Sequence, residues 1–235
     1  KDDEDVVRLY EELNICRNNF DVKKARYLFN QIEEKISLNI PENKQYFIDI
    51  EASLDWMEGK INKEEFALRE EKALRCTLNI DDLPDINEIF LTEMEMSCIR
   101  KRMRGLEKTE KGEYIKLLLR FFEQYERKKE LSDCISMYEF VMVSMANELG
   151  NMDKHQTAIN IDKKIIKESL KCKRLWAVSN SLYDILWNES EQAINEGDKI
   201  SKDKMTEGLR QCIAFSHFCR QIYIEKFLCE KLHQS

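Results

Sequence analysis

The chain has 235 residues, of which 43% are hydrophobic and 35% charged, so it can bury a sizeable core while keeping a heavily charged surface. Its formal net charge of -7 argues against direct binding to a phosphate backbone, which needs clustered Lys and Arg. Six glycines and two prolines are too few for the turns of a sheet protein, and no uninterrupted apolar run reaches membrane-span length, which leaves an all-α protein with no membrane contact.

In chain order, Lys1 is followed by the acidic run Asp2-Asp3-Glu4-Asp5, which reads as the end of a linker. Hairpin one (residues 5–38) carries Val6, Leu9, Leu13 and Cys16 on its first arm and Val22, Ala25, Phe29, Ile32 and Ile36 on its second, at helical spacing. Its turn is expected at Asn18-Asn19-Phe20-Asp21, with asparagine in the left-handed position. Hairpin two (42–80) uses Tyr46, Phe47, Ile50, Leu54 and Met57, then Phe66, Ala73 and Leu74. Hairpin three (84–130) has a capping box at Thr92 and Glu95 and returns through Tyr114, Leu118 and Phe121. The basic stretch Arg100 to Arg104 on its first arm reads as a solvated face. Hairpin four (132–171) is capped by Ser132 and carries Ile135, Tyr138, Met142, Met145 and Leu149, then Ile159, Ile165, Ile166 and Leu170. Hairpin five (174–233) begins near Arg174 and is expected to end in one long helix from Ser201 through Leu209, Cys212 and Cys219 to Tyr223.

The punctuation supports this division. Gly59, Gly105, Gly150 and Gly197 follow one another at intervals of 46, 45 and 47 residues, and each is expected to mark a turn. Pro41 and Pro84 fall between those turns, where one hairpin should hand over to the next. Ten helices in five degenerate pairs make an α-α solenoid forming a single domain over 1–235, in which each hairpin covers the apolar face of the last. A period near 46 is longer than the roughly 34 residues of a tetratricopeptide repeat and closer to the HEAT type, and it leaves both open.

The motifs of phosphate loops, dinucleotide folds, zinc proteases and nucleophile elbows are all missing. The histidines are only His155, His217 and His233, which leaves little for proton transfer near neutral pH. Cys212, His217, Cys219 and Cys229 form the best chemical constellation, but they lack the paired short spacing of a zinc site, and a buried helix face accounts for them. With no signal-like segment, the eight cysteines read as small core residues in a reducing cytoplasm. The chain is therefore expected to be no enzyme, with no catalytic residues, metal or cofactor.

A binding surface is expected where a first arm carries two distinct non-solvent stripes. In hairpin five, Leu175, Val178, Leu182 and Leu186 form a core stripe, while Trp176, Asn180, Tyr183 and Trp187 form another, flanked by Asp184. In hairpin four, Phe140, Val143 and Asn147 lie opposite the core stripe. Asn147 and Asn180 can donate to and accept from the main chain of an extended peptide, and Tyr183 and Trp187 offer flat apolar contact. Arg102 and Glu95 are candidates for holding a peptide terminus or charged side chain. The competing reading is that both stripes only pack on neighbouring hairpins.

Met57-Glu58-Gly59-Lys60-Ile61-Asn62-Lys63-Glu64-Glu65, Leu91-Thr92-Glu93-Met94-Glu95, Glu110-Lys111-Gly112-Glu113-Tyr114-Ile115 and the stretch from Leu186-Trp187-Asn188 to Arg210-Gln211-Cys212 are similar to segments of one family. The chain resembles the C-terminal tetratricopeptide-like domains of the Rgg and PlcR type of peptide-responsive bacterial transcription regulators. The resemblance implies a right-handed superhelix that dimerises and senses a short quorum-sensing peptide in its concave groove. It also implies a preceding helix-turn-helix domain, through which alone DNA would be bound. A protein-interaction adaptor or response-regulator inhibitor on the same scaffold is the alternative expectation.

Overall fold

The computed structural model of the chain describes residues 2–79, 91–127, 131–197 and 202–234. They form the helices α1 (Asp2–Asn18), α2 (Val22–Glu33), α3 (Pro41–Met57), α4 (Lys63–Leu74), α5 (Glu93–Gly105), α6 (Lys108–Arg127), α7 (Leu131–Gly150), α8 (His155–Lys171), α9 (Trp176–Asn195), α10 (Lys202–Phe218) and α11 (Ile222–Gln234). The described residues include no strand, and no helix among them is long and apolar enough to cross a membrane. The expected handover at Pro84, the cap by the Ser132 side chain, and Lys1 and Ser201 lie outside the described residues. The chain divides into two compact units, Lys1–Phe121 and Phe122–Ser235, with the division inside α6.

In the first unit, α2 shows how the pattern becomes structure. Asp21 caps it by accepting from the Lys24 backbone N–H at 3.2 Å. Ala25, Leu28, Phe29 and Ile32 then fall on one face, at the i, i+3, i+4, i+7 spacing, and are buried against Leu13 and Cys16 of α1 and Ile50 and Leu54 of α3. Phe29 stacks on Phe47 at 4.5 Å, and Tyr10 meets Tyr46 edge-on at 4.7 Å. Each such large side chain taken fully from water contributes about 1.5–3 kcal/mol, and this sum holds the hairpins together. Pro41 occupies the first turn of α3, where a missing N–H costs nothing. Asn62 caps α4, and Thr92 with Glu95 forms a reciprocal capping box on α5. Both Glu95 oxygens are used at once, one on Thr92 and one on the Thr77 hydroxyl at 2.8 Å, so Glu95 has no free oxygen for a ligand.

The turns differ from the glycine reading in an instructive way. Five of them close with the same backbone pair of bonds, in which a left-handed residue and its successor donate to the last turn of the preceding helix. That residue is Gly59 in one turn, but Phe20, Asp153, Lys173 and Arg220 in the others, all with φ between 56° and 63°. Phe20, rather than the preceding asparagines, takes the strained place. Gly197 is left-handed as expected, at φ 80°.

Gly105 and Gly150 serve a different purpose. A Cβ on Gly105 would stand 2.3 Å from the Lys63 carbonyl oxygen and 2.6 Å from the Ala67 Cβ, so the end of α5 crosses the start of α4 almost backbone to backbone. A Cβ on Gly150 would stand 2.7 Å from Asn188 Oδ1 and 2.9 Å from the Trp187 ring. Both glycines permit close approach of helices rather than reversal of the chain.

In the second unit, α8 packs on both α7 and α9, and α9 also touches α7 and α10. Tyr138, Val141, Met142, Met145 and Ala146 of α7 are buried, as are Ala158, Ile159 and Ile165 of α8 and Ala177 and Val178 of α9. A second cluster joins Leu209 and Cys212 of α10 to Leu228 of α11 and to Leu182 and Leu186 of α9. The long terminal helix expected from Ser201 to Tyr223 is instead two helices. Arg220 at φ 56° reverses the chain, and the Gln221 N–H donates to the Ser216 carbonyl at 2.9 Å.

Candidate functional site

Reversal at Arg220 folds α11 back toward α9 and creates a cleft of about 780 Å³ in the second unit, a size usual for small-ligand sites. The α9 wall is Trp176, Asn180, Tyr183 and Asp184, at positions i, i+4, i+7 and i+8 and hence on one face. Asn147 of α7 adds a second wall, and Ile222, Tyr223, Ile224, Phe227 and Leu228 of α11 a third. Gln221 ties the start of α11 to the start of α9, its amide donating to the carbonyls of Leu175 and Trp176 at 3.2 and 2.9 Å. Tyr183 and Phe227 meet edge-on at 5.3 Å across the cleft walls.

Asn147, Asn180, Tyr183 and Asp184, four of the candidates read from the sequence, are thus brought together. Asn147 turns its amide NH2 to Asp184, donating to Oδ2 at 2.8 Å, which leaves its carbonyl oxygen for another donor. Burial pushes the Asp184 carboxyl up to about 7. Behind it, Asp162 of α8 is fully buried, with the Ser181 hydroxyl of α9 beside it and no cation. Burial, with the neighbouring charge of Asp184, pushes Asp162 up to about 8. Asn188 holds the α9 backbone here, donating to the Asp184 carbonyl at 2.8 Å and pairing with His155 Nδ1 at 2.9 Å.

The other four candidates stand elsewhere. Trp187 packs over Gly150 and meets the His155 ring edge-on at 5.9 Å, away from the cleft lining. Phe140 lies against Trp176 with ring centroids 4.1 Å apart, supporting the wall from behind, and Val143 is buried. Arg102 belongs to the first unit, where its guanidinium pairs with Glu71 at 3.0 Å and Glu110 at 3.6 Å and lies over the Tyr114 ring. The α11 residues of the cleft were missed because a single long helix was expected there. Their signal was present as Ile222, Tyr223 and Phe227, too many large apolar residues for one helical stripe.

The cysteine and histidine constellation does not assemble into a site. Cys212 is buried in the α10 and α11 core, while His217 is exposed and pairs with Glu225 at 3.0 Å. Among the described residues, one group has metal-like convergence, Asp49, Glu70 and Cys98 in the first unit, all buried. The Lys101 ammonium already fills it, bonded to Asp49, 3.2 Å from the Ser53 hydroxyl and 3.9 Å from Glu70. Burial alone would raise Asp49, but Lys101 outweighs it and holds that carboxyl below its usual range. Glu70, with burial dominant and Asp49 beside it, is pushed well above. This corrects the reading of residues 100–104 as a solvated face: Lys101 is inside, because α3 and α4 bring its counter-charges, Asp49 and Glu70, over it.

No protein-family model matches the chain, and no curated protein or solved structure matches it significantly.

Proposed function

We propose that the Phe122–Ser235 unit binds a short peptide in the cleft formed by α7, α9 and α11, and that the chain is the ligand-sensing part of a helix-turn-helix transcription regulator. The observation that carries the first half is the lining itself: the amides of Asn147 and Asn180, which Gln221 does not occupy, and the Asp184 carboxylate among Trp176, Tyr183, Tyr223 and Phe227. Amides satisfy a peptide main chain in both directions, and aromatic rings add area at low entropic cost, which is how extended peptides are commonly held. The packing of α9 on both α7 and α8 supports reading these helices as stacked hairpins of the tetratricopeptide kind. The regulator half rests on the family resemblance. Peptide binding would favour one arrangement of α11 against α9 and so bias an attached DNA-binding domain.

A displayed library of short random peptides, panned on the whole chain, tests the binding half. Peptides should be enriched whose affinity falls about tenfold or more in Asn180→Ala and Tyr223→Ala, the scale of an interface residue worth more than 1 kcal/mol. No enrichment, or peptides indifferent to both substitutions, contradicts it.

The interaction-adaptor reading is supported by one feature: Phe218, Ile222 and Tyr223 are 78%, 65% and 76% exposed around the α10–α11 turn, a patch suited to a folded partner. That reading expects capture of a folded protein that Phe218→Ala weakens and Asn180→Ala leaves unchanged.

A further inference from the structure

The cleft has a charge asymmetry that the peptide reading leaves unused. Asp184 lines it, and Asp162 lies behind with no exposure and with the neutral Ser181 hydroxyl, not a cation, beside it. Among the described residues, neither carboxylate is paired with a lysine or arginine, although buried carboxylates usually are. Asn147 turns its amide toward Asp184, and an amide carries no charge. Arg220 also lines the cleft, but it is exposed and forms no ion pair with Asp184. Around this acidic floor stand Trp176, Tyr183, Tyr223 and Phe227, whose ring faces attract cations.

We infer that the cleft selects peptides carrying a cationic side chain, a lysine ammonium or an arginine guanidinium, which seats on Asp184 between the aromatic walls. This rests on the peptide-binding reading and goes one step further, by naming what the peptide must present. The cation supplies the positive charge that the pair of carboxylates lacks, and it converts a costly feature of the free protein into binding energy. Asn147 Oδ1 and the Asn180 amide remain available to the main chain on either side. An acidic peptide meets like charge at the same place and is rejected.

Proton linkage follows from the groups that face Asp184. These are Asp162 from α8, Cys212 from α10, Tyr183 on α9 itself and the neutral Asn147 from α7, while Arg220 and Tyr223 line the same cleft. Cys212 is raised by burial to about 11 and stays neutral, and Tyr183 is raised from its already high value. Asp184 therefore loses its proton first, and a cationic ligand prefers the ionised form. Affinity should rise with pH between about 6 and 8.

The test uses the peptides enriched on the whole wild-type chain and their Lys→Met or Arg→Met counterparts, titrated against wild type and Asp184→Asn. Both proteins are first compared by circular dichroism and melting. The enriched peptides should contain a basic residue at a fixed place, and its replacement should weaken binding to wild type about tenfold or more. In Asp184→Asn the same replacement should matter less than about twofold, which isolates the pair as a coupling. The wild-type affinity for the basic peptide should rise from pH 6 to pH 8, and the rise should vanish in the variant. Cleft-dependent peptides without a basic residue, or equal losses in both proteins, overturn the cationic selection and leave the peptide reading standing. Peptides insensitive to Asn180→Ala and Tyr223→Ala overturn both.

Discussion

Lys101→Met should destabilise the Lys1–Phe121 unit by about 3–5 kcal/mol, the usual consequence of removing one partner from a buried ion pair. Lys101 and Asp49 are 7% and 2% exposed, and Glu70 is completely buried, so water cannot replace the lost ammonium. In the wild type Asp49 is held below its usual range, so it contributes stability above pH 4 or so that is lost as pH falls through its folded value. Without Lys101, burial alone acts on Asp49 and raises it. The deficit of the variant should therefore be largest at neutral pH and shrink toward pH 5, as acid protonates the raised Asp49 of the variant while the wild-type Asp49 stays ionised. The double variant Asp49→Asn with Lys101→Met should regain a large part of the loss, since it removes the stranded charge. Urea titrations at pH 5 and pH 7.5 measure all three; a single-variant deficit that does not change with pH contradicts the assignment.

Gly105→Ala should cost about 3 kcal/mol, at the upper end for an overpacked contact. The added Cβ meets a backbone oxygen and another Cβ, neither of which can rotate away, so α4 and α5 must part along their contact. Gly59→Ala is the comparison. Its Cβ meets nothing within 4 Å, and its cost is that of a left-handed backbone, about 1 kcal/mol. Two glycines at matching places in the sequence thus differ in cost because one is needed for space and the other for conformation. Equal midpoints for the two alanine variants would contradict the close crossing.

What could be read in the sequence was what depends on local spacing. The α2 stripe, the Thr92 and Glu95 cap and the shared face of Asn180, Tyr183 and Asp184 all follow from positions three or four apart, and the helix repeat places such residues side by side. What could not be read depends on partners far along the chain or on backbone bonds alone. The run around Lys101 looks solvent-facing until Asp49, Ser53 and Glu70 are folded over it. Trp187 shares its stripe with Asn180 and Tyr183, yet Gly150 on α7 leaves a hollow that takes its ring. The reversal at Arg220 has no glycine, proline or asparagine to announce it, because its two closing bonds are made by main-chain groups that any residue carries. Tyr223 and Phe227 are consequently not among the sequence candidates, although they line the same cleft as Asn180 and Tyr183.

We propose that α7, α9 and α11 together hold a peptide. Amide hydrogen exchange of the whole chain, with and without a saturating panned peptide, tests it most directly. Exchange should slow in residues 176–184 and 220–228 and around Asn147, with the first unit unchanged. Slowed exchange confined to other helices, or none at a peptide concentration that saturates binding, would contradict it.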